Sequence, residues 1–154
     1  DPSAWADFGA LPYADTSAPL VMTGHIRYAG VDGGAPASLS PVITGWLRND
    51  LGYDGVIVTD DMHVMRGVGS ELTPGQRAVA AIRAGADLAL FVGAIDAADI
   101  VQALVDEASI DAAFAARLEE SAERVLRLKG ALGLIPGASA EWFDWCGGVS
   151  SVEE

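Results

Sequence analysis

Two adjacent carboxylates, Asp60 and Asp61, are the residues of this sequence that are best placed to do chemistry. They follow an apolar run over 55–59 that has the pattern of a buried strand. In open α/β sheets and in barrels, ligands bind at the C-terminal ends of strands. Because successive strand side chains point to opposite sides, one carboxylate is expected to face a ligand while the other braces a loop. The pair therefore indicates catalysis or metal binding, with helix capping or loop bracing as the alternative.

Two histidines lie near this predicted strand end. His25 follows the preceding apolar run, at 19–24, and His63 follows the acidic pair. For each of them a hydrogen-bonded loop histidine is the alternative to a functional role. Other chemistries lack their residues, since no serine occupies a nucleophile elbow, no glycine-rich phosphate loop precedes a lysine, and no Cys/His cluster has zinc-site spacing.

The elements that must position these residues alternate between strand and helix. Apolar runs predict strands over 19–24, 55–59 and 87–92. Each predicted helix begins at a residue that can cap its free N–H groups, namely Ser40, Thr73, Asp96 and Asp111. This order is typical of a parallel α/β sheet, with Asp87 at the opposite end of its strand, where a stabilising role is expected.

Three such strands are too few to complete that architecture. Each strand is apolar on both faces, so both of its faces have to be covered by other elements. In addition, the two outer strands would leave backbone N–H and C=O groups unpaired at their edges. The sequence therefore predicts missing strands, which a second copy or another segment would have to supply.

Composition limits the partners. The chain has 154 residues, of which 51% are hydrophobic, and its 22 acidic and 9 basic residues give a net charge of −13. Length and apolarity predict one folded domain, and the charge makes nucleic acid and membrane surfaces poor partners. A single cysteine, Cys146, excludes an intramolecular disulfide. The compartment stays unassigned, with the cytoplasm slightly favoured over secretion.

Several segments resemble, in order, the bacterial β-N-acetylhexosaminidase branch of glycoside hydrolase family 3. Thr59-Asp60-Asp61-Met62 is the most specific of them, and the likeness covers about residues 20 to 134 through the segments 21–26, 36–40, 47–48, 51–62, 84–87, 124–129 and 132–134. The resemblance implies a (β/α)8 TIM barrel and retaining exo-hydrolysis of terminal β-linked N-acetylglucosamine, with a role in peptidoglycan recycling. It also implies that Asp60 is the nucleophile and that His25 lies in the sugar-binding wall, with no metal and no cofactor.

Two departures from the family pattern bear on activity. The family's acid/base group lies in a Lys-His-Phe-Pro-Gly-His-Gly type of loop that this sequence lacks. In addition, Val64 stands where the family usually has Met, with Met65 one place later, so the loop after the nucleophile is expected to be shifted. Retaining hydrolysis needs a second group that protonates the leaving oxygen. The chain alone is therefore expected to be inactive.

These expectations combine into one assignment. Residues 1–134 would be the C-terminal part of the barrel, about three βα units that correspond to strands six to eight, and 135–154 a C-terminal tail. The N-terminal portion of the same barrel, or a second copy of the chain, would complete it. The alternative is a non-catalytic, self-assembling partial barrel, a binding or relic protein. A receiver-type domain that binds Mg²⁺ through Asp60 and Asp61 is disfavoured, because it would need a further strand-end Asp and a strand-end Lys.

Overall fold

The computed structural model of the protein describes residues 11–14, 16–63, 71–93 and 95–135. Its elements, in chain order, are α1 (Leu11–Ala14), β1 (Leu20–Thr23), α2 (Ala29–Asp32), a 3-10 turn (Ala37–Leu39), α3 (Pro41–Gly45), a π-helical turn (Trp46–Asp50), β2 (Val56–Thr59), α4 (Pro74–Ala84), α5 (Ala97–Ile110) and α6 (Ala112–Ala131). The predicted tail lies outside the described residues from position 136 onward, and so do Cys146, Val64 and Met65.

Strands β1 and β2 are parallel neighbours, paired from Leu20 with Val56 to Thr23 with Thr59. The predicted combination of helices with parallel strands is therefore confirmed. One face of the pair packs against the helices in an apolar cluster formed by Val21, Leu47, Tyr53, Ile57, Met62, Ala81 and Ala86. Both strands consequently run in the same direction and end at one edge of the sheet, next to the two predicted site residues.

The prediction of a third strand over 87–92 is wrong in this structure. The segment lies beside β2, but only Leu88 forms a strand-type bridge, in parallel with Val58. Further along, side chains of β2 and its loop replace the expected backbone partners. Leu90 N–H donates to Thr59 Oγ1 at 3.0 Å, and Val92 N–H donates to Asp61 Oδ1 at 2.9 Å. Because these side-chain acceptors take the N–H groups, the regular ladder stops after one bridge.

The predicted helix starts are confirmed by their caps. Ser40 Oγ accepts from Ile43 N–H at 3.2 Å at the start of α3. Thr73 and Gln76 form a reciprocal capping box at the start of α4. Asp96 and Asp111 accept from the first amides of α5 and α6. The start of each of these helices is thus fixed by residues that are local in sequence.

Strand β1 leaves one apolar face uncovered. Val21 and Thr23 are buried on the helix side, whereas Leu20 and Met22 on the opposite side are 38% and 49% exposed. Strand β2 is buried on both faces. No helix in the described part combines the length and apolarity that crossing a membrane requires. Since an exposed apolar strand face calls for a covering layer, β1 is the side on which the described fold is open.

Candidate active site

Asp60 lies directly after β2, at the C-terminal edge of the sheet. Its backbone N–H donates to the carbonyl of Thr23 at 2.8 Å, which joins the ends of the two strands. Its Oδ1 accepts from the N–H of Asp61 at 2.8 Å, so one oxygen of the carboxylate has a fixed direction. The side chain is half-buried, and its Oδ2 has no hydrogen-bond partner among the described residues. The two oxygens of this carboxylate therefore differ in how the described residues hold them.

Asp61 has the other role predicted for the pair. It is only 6% exposed, and its Oδ1 accepts from the N–H groups of His63 and Val92, both at 2.9 Å. The first of these bonds closes the turn after β2, and the second fastens that turn to the neighbouring segment. The prediction that one carboxylate braces a loop is therefore confirmed for Asp61.

His25 connects the end of β1 to the same turn. Its Nε2 lies 2.9 Å from the carbonyl oxygen of Asp61, and its Nδ1 lies 2.6 Å from Ser38 Oγ. A carbonyl only accepts, so Nε2 carries the proton, and in the neutral ring Nδ1 then accepts from the Ser38 hydroxyl. The ring is 9% exposed and both nitrogens are engaged within the protein. Its place in a sugar-binding wall stays a prediction.

Two contacts of the site were not singled out from the sequence. Ser38, which is fully buried, orients His25. Arg77 Nη1 donates to the carbonyl oxygens of Met62 and His63 at 2.7 and 2.9 Å, and so reaches the turn from α4. A cation close to a helix N-terminus is unfavourable for the helix dipole, and that position is the sequence signal that could have drawn attention to Arg77.

The acidic and histidine side chains at this edge of the sheet differ in how they are engaged. Among the residues that the structure describes, no group of three or more His, Cys, Asp or Glu side chains is arranged to hold a metal ion. The Asp61 carboxylate is engaged by backbone amides, and the Nδ1 of His63 lies 2.9 Å from the carbonyl of Val92. Asp60 differs from both, because only one of its carboxylate oxygens is engaged among the described residues.

The opposite end of the sheet carries an ion-pair cluster centred on Asp87. The buried carboxylate is bonded by Arg48, by Arg117 at 2.8 Å and by Arg124 at 3.5 Å, and it also accepts from the N–H of Ile57 at 2.9 Å. Burial lowers the pKa of the Arg48 guanidinium, against the opposing effect of the Asp87 charge. A cavity of about 590 Å³ opens beside these arginines. The contacts fit the stabilising role expected for Asp87.

Comparison with known proteins bears on this strand-end site. The family model described as "Glycosyl hydrolase family 3 N terminal domain" matches residues 10–128. The sequence is 30% identical over 128 residues to Beta-hexosaminidase LpqI of Mycobacterium tuberculosis, covering 78% of this chain and 33% of that protein. It is 40% identical over 91 residues to a Beta-hexosaminidase of Chromobacterium violaceum, covering 58% of this chain and 25% of that protein.

Solved structures give a similar result. The crystal structure of a Beta-N-acetylhexosaminidase from Beutenbergia cavernae superposes with a TM-score of 0.68 at 40% sequence identity, covering 73% of this chain and 34% of that chain. The structure of LpqI from M. tuberculosis superposes with a TM-score of 0.68 at 27% identity, covering 77% of this chain and 37% of that chain. The chain thus spans between a quarter and about two fifths of the length of these relatives.

Proposed function

The chain belongs to glycosyl hydrolase family 3, in its β-hexosaminidase branch, and we propose from that membership that it contributes the nucleophile of a retaining β-N-acetylhexosaminidase. The family domain is of the TIM-barrel type, and this chain is proposed to be its C-terminal part, the last three βα units. The substrate is a terminal β-linked N-acetylglucosamine, and peptidoglycan recycling is the proposed setting. The observation that carries the proposal is Asp60 at the strand end, with Oδ1 held by the N–H of Asp61 and with no hydrogen bond to Oδ2 from the described residues.

The reaction proceeds in two steps. In the first, Asp60 Oδ2 attacks the anomeric carbon, the bond from that carbon to the leaving oxygen breaks, and a protonated acid group gives its proton to that oxygen. In the second, water attacks the anomeric carbon, its proton returns to the same group, and the sugar–Asp60 ester is cleaved. Because the N–H of Asp61 engages Oδ1, Oδ2 is the oxygen assigned to the attack. His25 forms part of the wall that holds the sugar.

The acid/base group comes from the N-terminal portion of the barrel. Two observations support this division. The chain lacks the family's His-containing loop, and the exposed Leu20 and Met22 give β1 an apolar face of the kind that neighbouring barrel strands cover. The carboxyl groups of retaining enzymes, or their equivalents, lie only about 5 Å apart, so the two portions must meet closely at the strand ends.

The test uses the chain alone and the chain joined, in one polypeptide, behind the N-terminal barrel portion of the Beutenbergia cavernae relative. We call this fusion the joined protein. With 4-nitrophenyl β-N-acetylglucosaminide as substrate, the free chain is expected to give no turnover and the joined protein to give steady release of nitrophenol. Asp60→Asn is expected to reduce the joined protein to background, whereas Asp54→Asn, at a 57% exposed side chain, leaves activity unchanged.

Two results would contradict the proposal. Turnover by the free chain would mean that it carries its own acid/base group. Activity of the joined protein that survives Asp60→Asn would remove the nucleophile assignment. An inactive joined protein, together with a free chain that forms defined oligomers by light scattering, would instead favour the non-catalytic, self-assembling partial barrel.

A further inference from the structure

The turn that follows Asp60 is fastened from several sides. Met62 N–H donates to the carbonyl of Leu90 at 2.8 Å, and the Asp61 carboxylate accepts from Val92 N–H at 2.9 Å. His25 holds the carbonyl of Asp61 from the side of β1. These contacts fix the N–H of Met62 and both the carboxylate and the carbonyl of Asp61. The carbonyls of Met62 and His63 are fixed from a different element, α4.

Arg77 is the residue of α4 that makes this contact. One nitrogen, Nη1, donates to both carbonyls, at 2.7 Å for Met62 and 2.9 Å for His63. Hydrogen bonds from a charged donor are stronger than neutral ones, and Arg77 is half-buried, so water competes less for them. The residue therefore joins the start of α4 to the turn beside Asp60.

Two features of Arg77 are unfavourable for the stability of α4. It is the fourth residue of α4, whose first turn has no acidic residue, so its charge lies near the positive end of the helix dipole. Its Nε is buried and has no hydrogen-bond partner among the described residues. Positions that break a local rule in this way are expected where a residue serves a site rather than the stability of its own helix.

We infer that Arg77 is a positioning residue for the hydrolysis, an inference that rests on the proposed function. Arg77 holds the carbonyls of Met62 and His63, and the turn so held presents the N–H of Asp61 to Asp60 Oδ1. The direction of the attacking oxygen thus depends on a guanidinium that bonds the turn and, among the described residues, makes no hydrogen bond to the Asp60 carboxylate. A misplacement of about 1 Å at a reacting group costs on the order of 100-fold in rate.

The experiment compares Arg77→Met and Arg77→Lys with the matched control Arg83→Met. Arg83 lies on the same helix, but its guanidinium bonds Glu107 and Asp111 on α5 and at the start of α6, away from the turn. In the joined protein, Arg77→Met is expected to lower kcat by about 10- to 100-fold with KM changed less than about threefold, because ground-state binding of the sugar is kept. Arg77→Lys keeps a charged donor and is expected to lose less.

Two further readouts separate positioning from a general loss of stability. In the free chain of 154 residues, Arg77→Met is expected to speed hydrogen exchange of the Asp61, Met62 and His63 amides at least about tenfold, whereas Arg83→Met leaves these amides at wild-type rates. Added methylguanidinium is expected to restore part of kcat in the joined Arg77→Met protein and none in Arg83→Met.

The outcomes distinguish this inference from the proposed function. If the wild-type joined protein is active and Asp60→Asn is inactive, but Arg77→Met keeps wild-type kcat, only the role of Arg77 is overturned. The role of Arg77 is also overturned if Arg77→Met leaves hydrogen exchange at the three amides unchanged, or if Arg83→Met lowers kcat as much as Arg77→Met does. An inactive wild-type joined protein overturns the proposed function itself, and the inference with it.

Discussion

Replacing Asp87 with Asn tests how the end of the sheet opposite Asp60 is stabilised. The Asp87 side chain is fully buried, and the side chains of Arg48, Arg117 and Arg124 around it are 15%, 18% and 14% exposed. Asn has nearly the same shape and can still accept from the N–H of Ile57. The substitution therefore removes the one charge that the three arginines share, with little change in packing.

The magnitude follows from burial. Removing one partner of a buried ion pair costs about 3–5 kcal/mol, because the remaining charge is left uncompensated. Here Glu120 and Asp54 still pair with Arg124, and each guanidinium retains some contact with water, so the lower end of the range applies, about 3 kcal/mol. For a chain of this size each kcal/mol shifts Tm by about 2–4 °C, which predicts a decrease of about 6–12 °C.

Thermal unfolding of the free chain, followed by circular dichroism at neutral pH and low salt, measures this decrease. Asp54→Asn is the control, because Asp54 is 57% exposed and pairs with Arg124 at 3.6 Å. An exposed pair contributes at most about 1 kcal/mol, so its Tm should decrease by no more than about 4 °C. If Asp87→Asn unfolds within 2 °C of the wild type, the cluster is not what stabilises this end, and the reasoning from burial is wrong.

Three more substitutions test other parts of the structure. Gly85→Ala should destabilise the chain by about 2–4 kcal/mol in urea unfolding, because φ is +114° and a Cβ would lie 2.6 Å from Thr44 Oγ1. The hydrogen bond from Arg83 lowers the pKa of Asp111 below its ordinary value of 3.8. The pair therefore stabilises the fold fully above about pH 4, and this stabilisation is lost as the pH falls through the lowered pKa of the folded state. Arg83→Met should therefore lower Tm at pH 7 and differ less from the wild type near pH 2; an equal difference at both would contradict this. Met22→Asp should leave Tm of the free chain within about 2 °C, since Met22 is 49% exposed, but should destabilise the joined protein, where the charge becomes buried.

The local features of this fold were predictable because they depend on neighbours in sequence. Ser40, Thr73, Asp96 and Asp111 cap the helices they precede, as their residue types and positions indicate. The strand period likewise separated the roles of the acidic pair, since it requires adjacent side chains to point apart. In the structure the loop-bracing carboxylate is Asp61.

The features that were missed depend on residues distant in sequence. The strand predicted over 87–92 is reduced to one bridge because the hydroxyl of Thr59 and the carboxylate of Asp61 accept from its amides, about 30 positions away. An apolar run contains no information about such partners. Ser38 and Arg77 were missed for the same reason, since each acts on the site only after the chain has folded.

The two ends of β2 are stabilised by different forces, and this predicts how substitutions combine. The turn after Asp60 is held mainly by hydrogen bonds to backbone groups, whereas the Asp87 end is held by charge pairs. Asp87 bonds the N–H of Ile57, three residues before Asp60, a separation on the order of 10 Å along a strand. Sites that far apart without shared partners combine additively within about 0.5 kcal/mol. The free energy of unfolding of Asp60→Asn/Asp87→Asn should therefore equal the sum of the single effects, and a coupling above 1 kcal/mol would show that the strand transmits strain between its ends.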